Sequence, residues 1–221
     1  MTTTLDRTLT APSVSDLRTV LAWPVLAGLA LGVGDLLVMT NIAYPWANLA
    51  NSSAIWALGA FVLGAVMRTD PVRAAAAGVV MLLVAVESYY LYAALTDLGG
   101  VHTAFSTTAQ MWMVFGVVAG VVFGIAGSWT SGSVWWQRVV GAAAGASVLL
   151  GESVHTFANL GRERSVFASD LAEIAVVMVV LGVVVLVASS RRTSVLAAAT
   201  VLAVPGTLFC AAAFSAVGIA Y

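Results

Sequence analysis

Seven apolar segments separated by short polar turns run along the chain. A hydrocarbon layer about 30 Å thick takes about 20 apolar residues in a helix. The second segment is short and must tilt little or begin in the Asn-rich turn before it, and the last contains Pro205-Gly206, where a kink is expected. The pattern predicts an all-α, polytopic membrane helix bundle with seven transmembrane helices. The predicted spans are Thr19–Thr40, Ser52–Met67, Ala74–Leu95, Ala109–Trp129, Val139–Phe157, Asp170–Ser189 and Ser194–Tyr221.

The arginines predict the orientation of this bundle. With seven spans, seven of the nine arginines fall on one side, and Arg162 and Arg164 fall on the other. Because positive charge favours the cytoplasmic side, the N-terminus is predicted inside and the C-terminus outside. We expect a disordered cytoplasmic tail at 1–18, a single seven-span transmembrane domain at 19–221, and a multi-pass location in the cell membrane. The arginines of the majority side are Arg7, Arg18, Arg68, Arg73, Arg138, Arg191 and Arg192.

Composition agrees with a membrane protein and excludes several functions. Of the 221 residues, 61% are hydrophobic and 9% are charged, and the mean hydropathy is +1.02. The chain has no Lys, which excludes chemistry through a Schiff base. Two His disfavour a three-histidine zinc site, and a net charge of −1 gives no reason to expect nucleic-acid binding. No cofactor is predicted.

Two stretches of the chain end in the same Glu-Ser pair. In each, an Arg precedes the Glu by fourteen residues: Arg73 before Glu87, and Arg138 before Glu152. An apolar helix of that length places the Glu about 21 Å from the Arg, which is still inside the hydrocarbon layer. An ionisable residue at that depth is expensive and marks a candidate functional site.

The similarity extends to the spans before these arginines and indicates a parallel two-helix repeat, with spans two and three matching spans four and five. Each unit reads hydroxyl pair, Trp, glycine-rich helix, Arg, alanine-rich helix and Glu-Ser. The alternative is a chance likeness between Ala-rich spans flanked by Arg. Glycines spaced by four, such as Gly28 and Gly32, the 116–120–124 series, and Gly141 and Gly145, are typical of close helix packing.

The polar residues of the spans gather at one depth, near the predicted outer face, while the inner half holds almost nothing ionisable. This distribution predicts an outward-facing cavity lined by carboxylates and aromatic rings. The predicted ligand-binding residues are Asp35, Asn48, Asn51, Trp56, Glu87, Tyr89, Tyr90, Trp112, Glu152, His155 and Glu173.

Glu152 and His155 also have the Glu-x-x-His spacing found in carboxylate metal sites of helical bundles. A second such motif is missing, and His155 has the alternative of a hydrogen bond to Glu152 or to a carbonyl of the outer turn. We therefore predict no metal, with Glu152, His155 and Glu173 as the candidate ligands if one binds.

Three stretches together resemble one known family. They are the segment 44–56, which reads YPWANLANSSAIW, the run Glu87-Ser88-Tyr89-Tyr90, and the run Gly151-Glu152-Ser153-Val154-His155. The likeness is to the DUF6518 family of small actinobacterial integral membrane proteins of unknown function, from about Leu26 onward. It implies an architecture and a site location but no activity. Relatives tend to have Gly where this chain has Glu87-Ser88, which points to a role of Glu87 particular to this chain.

Three function classes remain open. The first is binding or transport of a small cationic or polar molecule in the outer cavity, through ion pairing and cation–π contact. The second is a membrane-embedded, acid-catalysed enzyme acting on an isoprenoid or lipid, as a terpene cyclase does, because an acid kept protonated by apolar surroundings can donate a proton. There Glu87 or Glu152 would be the proton donor, with His155 or the other Glu as base. The third is an accessory protein without chemistry. The expected partners are the bilayer, a small-molecule ligand or lipid-like substrate, and a homo-oligomer or membrane partner.

Overall fold

The structure, a computed structural model, describes residues 14–44, 46–96, 98–160 and 168–217. These residues form eight α-helices and one 3₁₀-helix, Val101–Phe105, and no strand, which confirms the all-α class. The helices are α1 (Val14–Asn41), α2 (Trp46–Ala50), α3 (Ser53–Met67), α4 (Pro71–Leu95), α5 (Thr107–Thr130), α6 (Trp135–Leu160), α7 (Ala168–Ser189) and α8 (Thr193–Val217).

Each of the seven predicted segments is one of the seven long helices. Among the described elements, α2 and the 3₁₀-helix, both in turns, were not predicted. Helix α1 begins at Val14, inside the segment 1–18 that was assigned to a disordered tail. Residues 1–13 of that tail, the loop 161–167 with Arg162 and Arg164, and residues 218–221 of the last predicted span lie outside the described residues.

Five of the described helices are long and apolar enough to cross a membrane. Helix α3 is apolar but has 15 residues, about 22 Å of helix. Helix α6 has 26 residues but is less apolar, because it contains Ser, Thr, Glu152 and His155 as well as several Gly. The length and composition of these helices thus indicate a helical membrane protein, and the seven-span topology stays a prediction. The five helices are α1 from Leu21, α4, α5, α7 from Asp170, and α8.

Glycines bring the first helices of the bundle into backbone contact. A methyl group at Gly28 would overlap the carbonyl oxygen of Met81, and one at Gly32 would overlap that of Ala85. Because the residue numbers of α1 and α4 increase together along this contact, α1 runs parallel to α4. The glycines of the 116–120–124 series of α5 pack on α4 in the antiparallel direction, and Gly124 also meets α3. The predicted close packing at these glycines is confirmed.

Helix α6 is the centre of the second half and is buried along most of its length. Ser147 of α6 donates to the carbonyl oxygen of Ala203 in α8 (3.3 Å), and Ser153 donates to that of Ala175 in α7 (2.9 Å). The glycine contacts show α8 parallel to α6. Gly182 beside Leu150, together with the Ser153–Ala175 hydrogen bond, shows α7 antiparallel to α6. Small buried residues such as Ala146 let these helices approach closely.

The helix directions define two ends of the bundle. Helices α3, α5 and α7 begin at the end that we call the outer end, and α4, α6 and α8 begin at the opposite end. The arginines of the turns and first helical turns at this opposite end are Arg68, Arg73, Arg138, Arg191 and Arg192. This grouping agrees with the predicted majority side, while the assignment of inside and outside stays a prediction.

Candidate functional site

A cavity of about 200 Å³ opens between α3, α4 and α5 near the outer end. Five of its lining side chains are aromatic, so we call it the aromatic cavity; the segment that precedes α3 contributes Asn51 to its rim. The lining residues are Asn51, Ser53, Trp56, Ala57, Leu82, Val86, Tyr89, Tyr90, Trp112, Phe115, Gly116 and Ala119.

The aromatic rings pack edge to face in two groups. The Trp56 and Tyr89 ring centroids lie 6.5 Å apart at 65°, and those of Tyr89 and Tyr90 lie 5.4 Å apart at 79°. On α5, the Trp112 and Phe115 centroids lie 5.9 Å apart at 74°. In edge-to-face packing the edge of one ring meets the face of the next, so some ring faces are not covered by another ring. Such a ring face attracts cations. The helices α3, α4 and α5 thus each place aromatic surface around one small space.

Asp35 lies behind one wall of the aromatic cavity. It is 3% exposed, and its Oδ2 accepts a hydrogen bond from the indole Nε1 of Trp56 at 2.9 Å. Its Oδ1 is buried and has no hydrogen-bond partner among the described residues. The hydroxyl of the neighbouring Tyr89 contacts the Sδ of Met39 at 3.5 Å. Asp35 therefore fixes the orientation of Trp56 and puts a carboxylate at the edge of its ring.

Glu152 lies at the first turn of α3. It is 1% exposed, and its Oε2 accepts from Ser52 Oγ at 3.0 Å and from the Ala54 backbone nitrogen at 2.7 Å. Ser52 is also the N-cap and accepts from the Ile55 nitrogen at 3.2 Å. Ser52 and Ala54 are buried at the start of α3, so the unpaired N–H groups there need acceptors inside the protein. A carboxylate there also complements the helix dipole.

The structure does not bring Glu87 to Glu152. Glu87 is an exposed residue of α4, and neither acid lines the aromatic cavity among the described residues. The next residue, Ser88, is buried and faces Gly32 of α1. Successive residues of a helix point about 100° apart, so Glu87 and Ser88 face different surroundings. The structure thus does not place Glu87 and Glu152 together in the aromatic cavity.

His155 and Glu173 also point elsewhere. His155 is buried beside α8, where its Nδ1 lies 3.0 Å from Ser215 Oγ and its Nε2 lies 3.1 Å from the Asn159 amide nitrogen. Glu173 is exposed on α7. Glu152 faces α3, so the three candidate metal ligands do not converge, and the described residues contain no group of three or more His, Cys, Asp or Glu that could hold a metal ion.

Of the eleven predicted ligand-binding residues, those that line the cavity are Asn51, Trp56, Tyr89, Tyr90 and Trp112. Asn48 is half-buried in α2 and is not among the lining residues. Phe115 was not predicted from the sequence, although it follows Trp112 by three residues and therefore lies on the same helix face. The hydrogen bond between Ser52 and Glu152 was not predicted either, although Ser52 is the first residue of the hydroxyl pair in the repeat.

The chain belongs to DUF6518, described as a family of unknown function, whose sequence model matches residues 11–219. This confirms the resemblance that the three sequence stretches indicated. No curated protein and no solved structure matches the chain.

Proposed function

We propose that this protein binds a small organic cation in the aromatic cavity, as a binding or transport protein of the cell membrane. The observation that carries the proposal is the set of five aromatic side chains from α3, α4 and α5 around one cavity. Aromatic faces grouped in this way are the usual means of binding quaternary ammonium groups. A volume of about 200 Å³ suits a small ligand or one head group of a larger one.

The position of Asp35 adds to this argument. Its carboxylate accepts from the Trp56 indole N–H, so negative charge lies at the edge of a ring that lines the cavity. In a medium of low dielectric constant, that charge attracts a cation at the ring face without contacting it. The cavity thus combines ring quadrupoles with one buried acid, as a site for a desolvated cation requires.

The alternative, acid catalysis on an isoprenoid, receives less support from the geometry. Catalysis of this kind requires a proton donor within hydrogen-bond reach of the substrate. Glu152 Oε2 accepts from two donors at the start of α3, and Glu87 is exposed on α4. Among the described lining residues, the groups that could contact a substrate are aromatic, apolar, amide and hydroxyl groups.

Calorimetric titration of the protein in lipid nanodiscs tests the proposal. The probes are tetramethylammonium and neopentyl alcohol, its uncharged relative of similar shape. We expect the cation to bind at least about 30-fold more tightly, since a desolvated cation–π contact contributes about 2 kcal/mol. Equal affinity for the two probes, or no binding of the cation, would refute the proposal.

Two variants locate the binding. Asp35→Asn can keep an oxygen acceptor for Trp56 but removes the charge. It should weaken cation binding about tenfold while leaving the neutral probe unaffected, because attraction by a nearby unit charge that does not contact the cation is on the order of 1–2 kcal/mol at an effective dielectric constant of about 20. Glu87→Gln, on the exposed side of α4, is the matched control and should bind the cation like the unaltered protein. A loss in Glu87→Gln with none in Asp35→Asn would place the site elsewhere.

A further inference from the structure

A second and larger opening adjoins the aromatic cavity. It has a volume of about 700 Å³ and is lined by α6 on its floor, by α5 and α8 on its sides, and by the start of α3. We call it the lateral groove. Its lining is almost entirely apolar, and it includes Val118, Val122, Phe123, Val140, Ala144, Val148, Leu202, Phe209, Ala213 and Phe214.

The lateral groove and the aromatic cavity share part of their walls. Both are lined by Ser53 and Ala57 of α3 and by Trp112, Phe115 and Ala119 of α5. A molecule whose head lies between the aromatic rings therefore has a direct route for an apolar chain past Trp112 and Phe115. The two openings differ in chemistry at that boundary, since Asn51 and the two tyrosines line the cavity and not the groove.

The groove also has the direction and length that a chain requires. Its α5 wall runs from Trp112, near the outer end, to Phe123, which is about 16 Å of helix. An extended alkyl chain advances somewhat more than 1 Å for each C–C bond of about 1.5 Å, so about a dozen carbons fit. A ligand in this pose keeps its head near the outer end and its chain toward the middle of the bundle, as a membrane lipid does.

We propose that the ligand is a cationic amphiphile, whose ammonium head occupies the aromatic cavity and whose single alkyl chain occupies the lateral groove. This inference rests on the proposed function and names its ligand class. The head group supplies the charge that the rings and Asp35 favour. The chain fills an apolar space of a size typical of ligand pockets, and the shared walls hold both parts of one molecule.

Photolabelling tests the inference independently of the general partitioning of amphiphiles into lipid. The probe is a trimethylalkylammonium ion with a chain of about a dozen carbons and a diazirine at the chain end, added to the protein in nanodiscs. We expect labelling of the deep groove, at residues such as Val122, Val140 and Ala144, mapped by mass spectrometry. Excess tetramethylammonium should abolish this labelling, because it occupies the head site.

Two variants make the test specific for the groove. Ala144→Phe places a bulky side chain on the groove floor, so the label should be lost there while tetramethylammonium still binds. Ala212→Phe is the matched control on α8, exposed but not a lining residue, and should label like the unaltered protein. Labelling spread over the lipid-facing helices, or labelling that tetramethylammonium does not displace, would overturn the inference. If tetramethylammonium itself does not bind, the proposed function fails instead.

Discussion

Glu152 was a candidate catalytic residue because it is an acid within an apolar helix. Its contacts instead show that it stabilises the start of α3. Its carboxylate satisfies Ser52 and Ala54 at the buried start of α3. In Glu152→Ala, both donors lose this acceptor, and each unsatisfied buried group costs about 1–3 kcal/mol. We expect the free energy of unfolding to fall by that order, and Glu152→Gln, which retains an acceptor, to lose less. Unfolding in mixed micelles followed by circular dichroism measures both.

Glu87→Gln is the control for this prediction because Glu87 is the matching position of the sequence repeat and is exposed. It should leave the free energy of unfolding within about 0.5 kcal/mol of the original value. If Glu152→Ala were as stable as Glu87→Gln, the carboxylate would not be needed by α3, and a catalytic role would again be the better explanation.

The same pair of residues shows the limit of sequence reasoning at this scale. The spacing from Arg gives the depth of both Glu residues, but it does not tell which helix each side chain faces. Glu152 meets α3, about 100 residues earlier in the chain, and that contact depends on which helices pack together. The aromatic residues were easier to place, because Trp56, Tyr89, Tyr90 and Trp112 lie on helix surfaces that face one shared space.

At the scale of the helices, close packing depends on positions without a side chain. A methyl group at Gly120 of α5 would lie 2.5 Å from the Val79 backbone nitrogen in α4, and backbone cannot move aside as a side chain can. We expect Gly120→Ala to lower the free energy of unfolding by about 1–3 kcal/mol, the usual effect of overpacking. The measurement is unfolding in mixed micelles.

Gly34→Ala in α1 is the matched control for this substitution, because a methyl group there meets nothing within 4 Å. It should be neutral or slightly stabilising, since Ala is the better helix former. A neutral Gly120→Ala would mean that α4 and α5 can separate at no cost, contrary to the packing described.

The helices themselves were predictable, because long apolar runs have few alternatives to a helix in a bilayer. The predicted second segment, for example, ends at Met67 as α3 does. The helix α2 was not predicted, because five residues, Trp46–Ala50, are too few to show a period. The glycine spacing of α5 predicted close helix packing, but it does not identify α4 as the partner helix.

For the whole molecule, the open question is whether α6 crosses the membrane. Its 26 residues span about 39 Å, more than the hydrocarbon thickness of about 30 Å. It also lies at the centre of the bundle, where α3, α5, α7 and α8 shield its polar residues from lipid. Low hydropathy is therefore compatible with a spanning helix, because protein rather than lipid surrounds most of it.

Cysteine labelling decides this point. In a Cys210→Ser background, Ser133→Cys and Ala158→Cys place single thiols at exposed residues near the two ends of α6. An impermeant maleimide should label Ala158→Cys in intact cells and Ser133→Cys only after permeabilisation, because we expect the arginine-rich end to face the cytoplasm. Labelling of both from the same side would mean that α6 does not span. The reversed labelling pattern would mean that the bundle has the opposite orientation in the membrane. The aromatic cavity would then lie at the cytoplasmic face, and its cation would have to come from inside the cell.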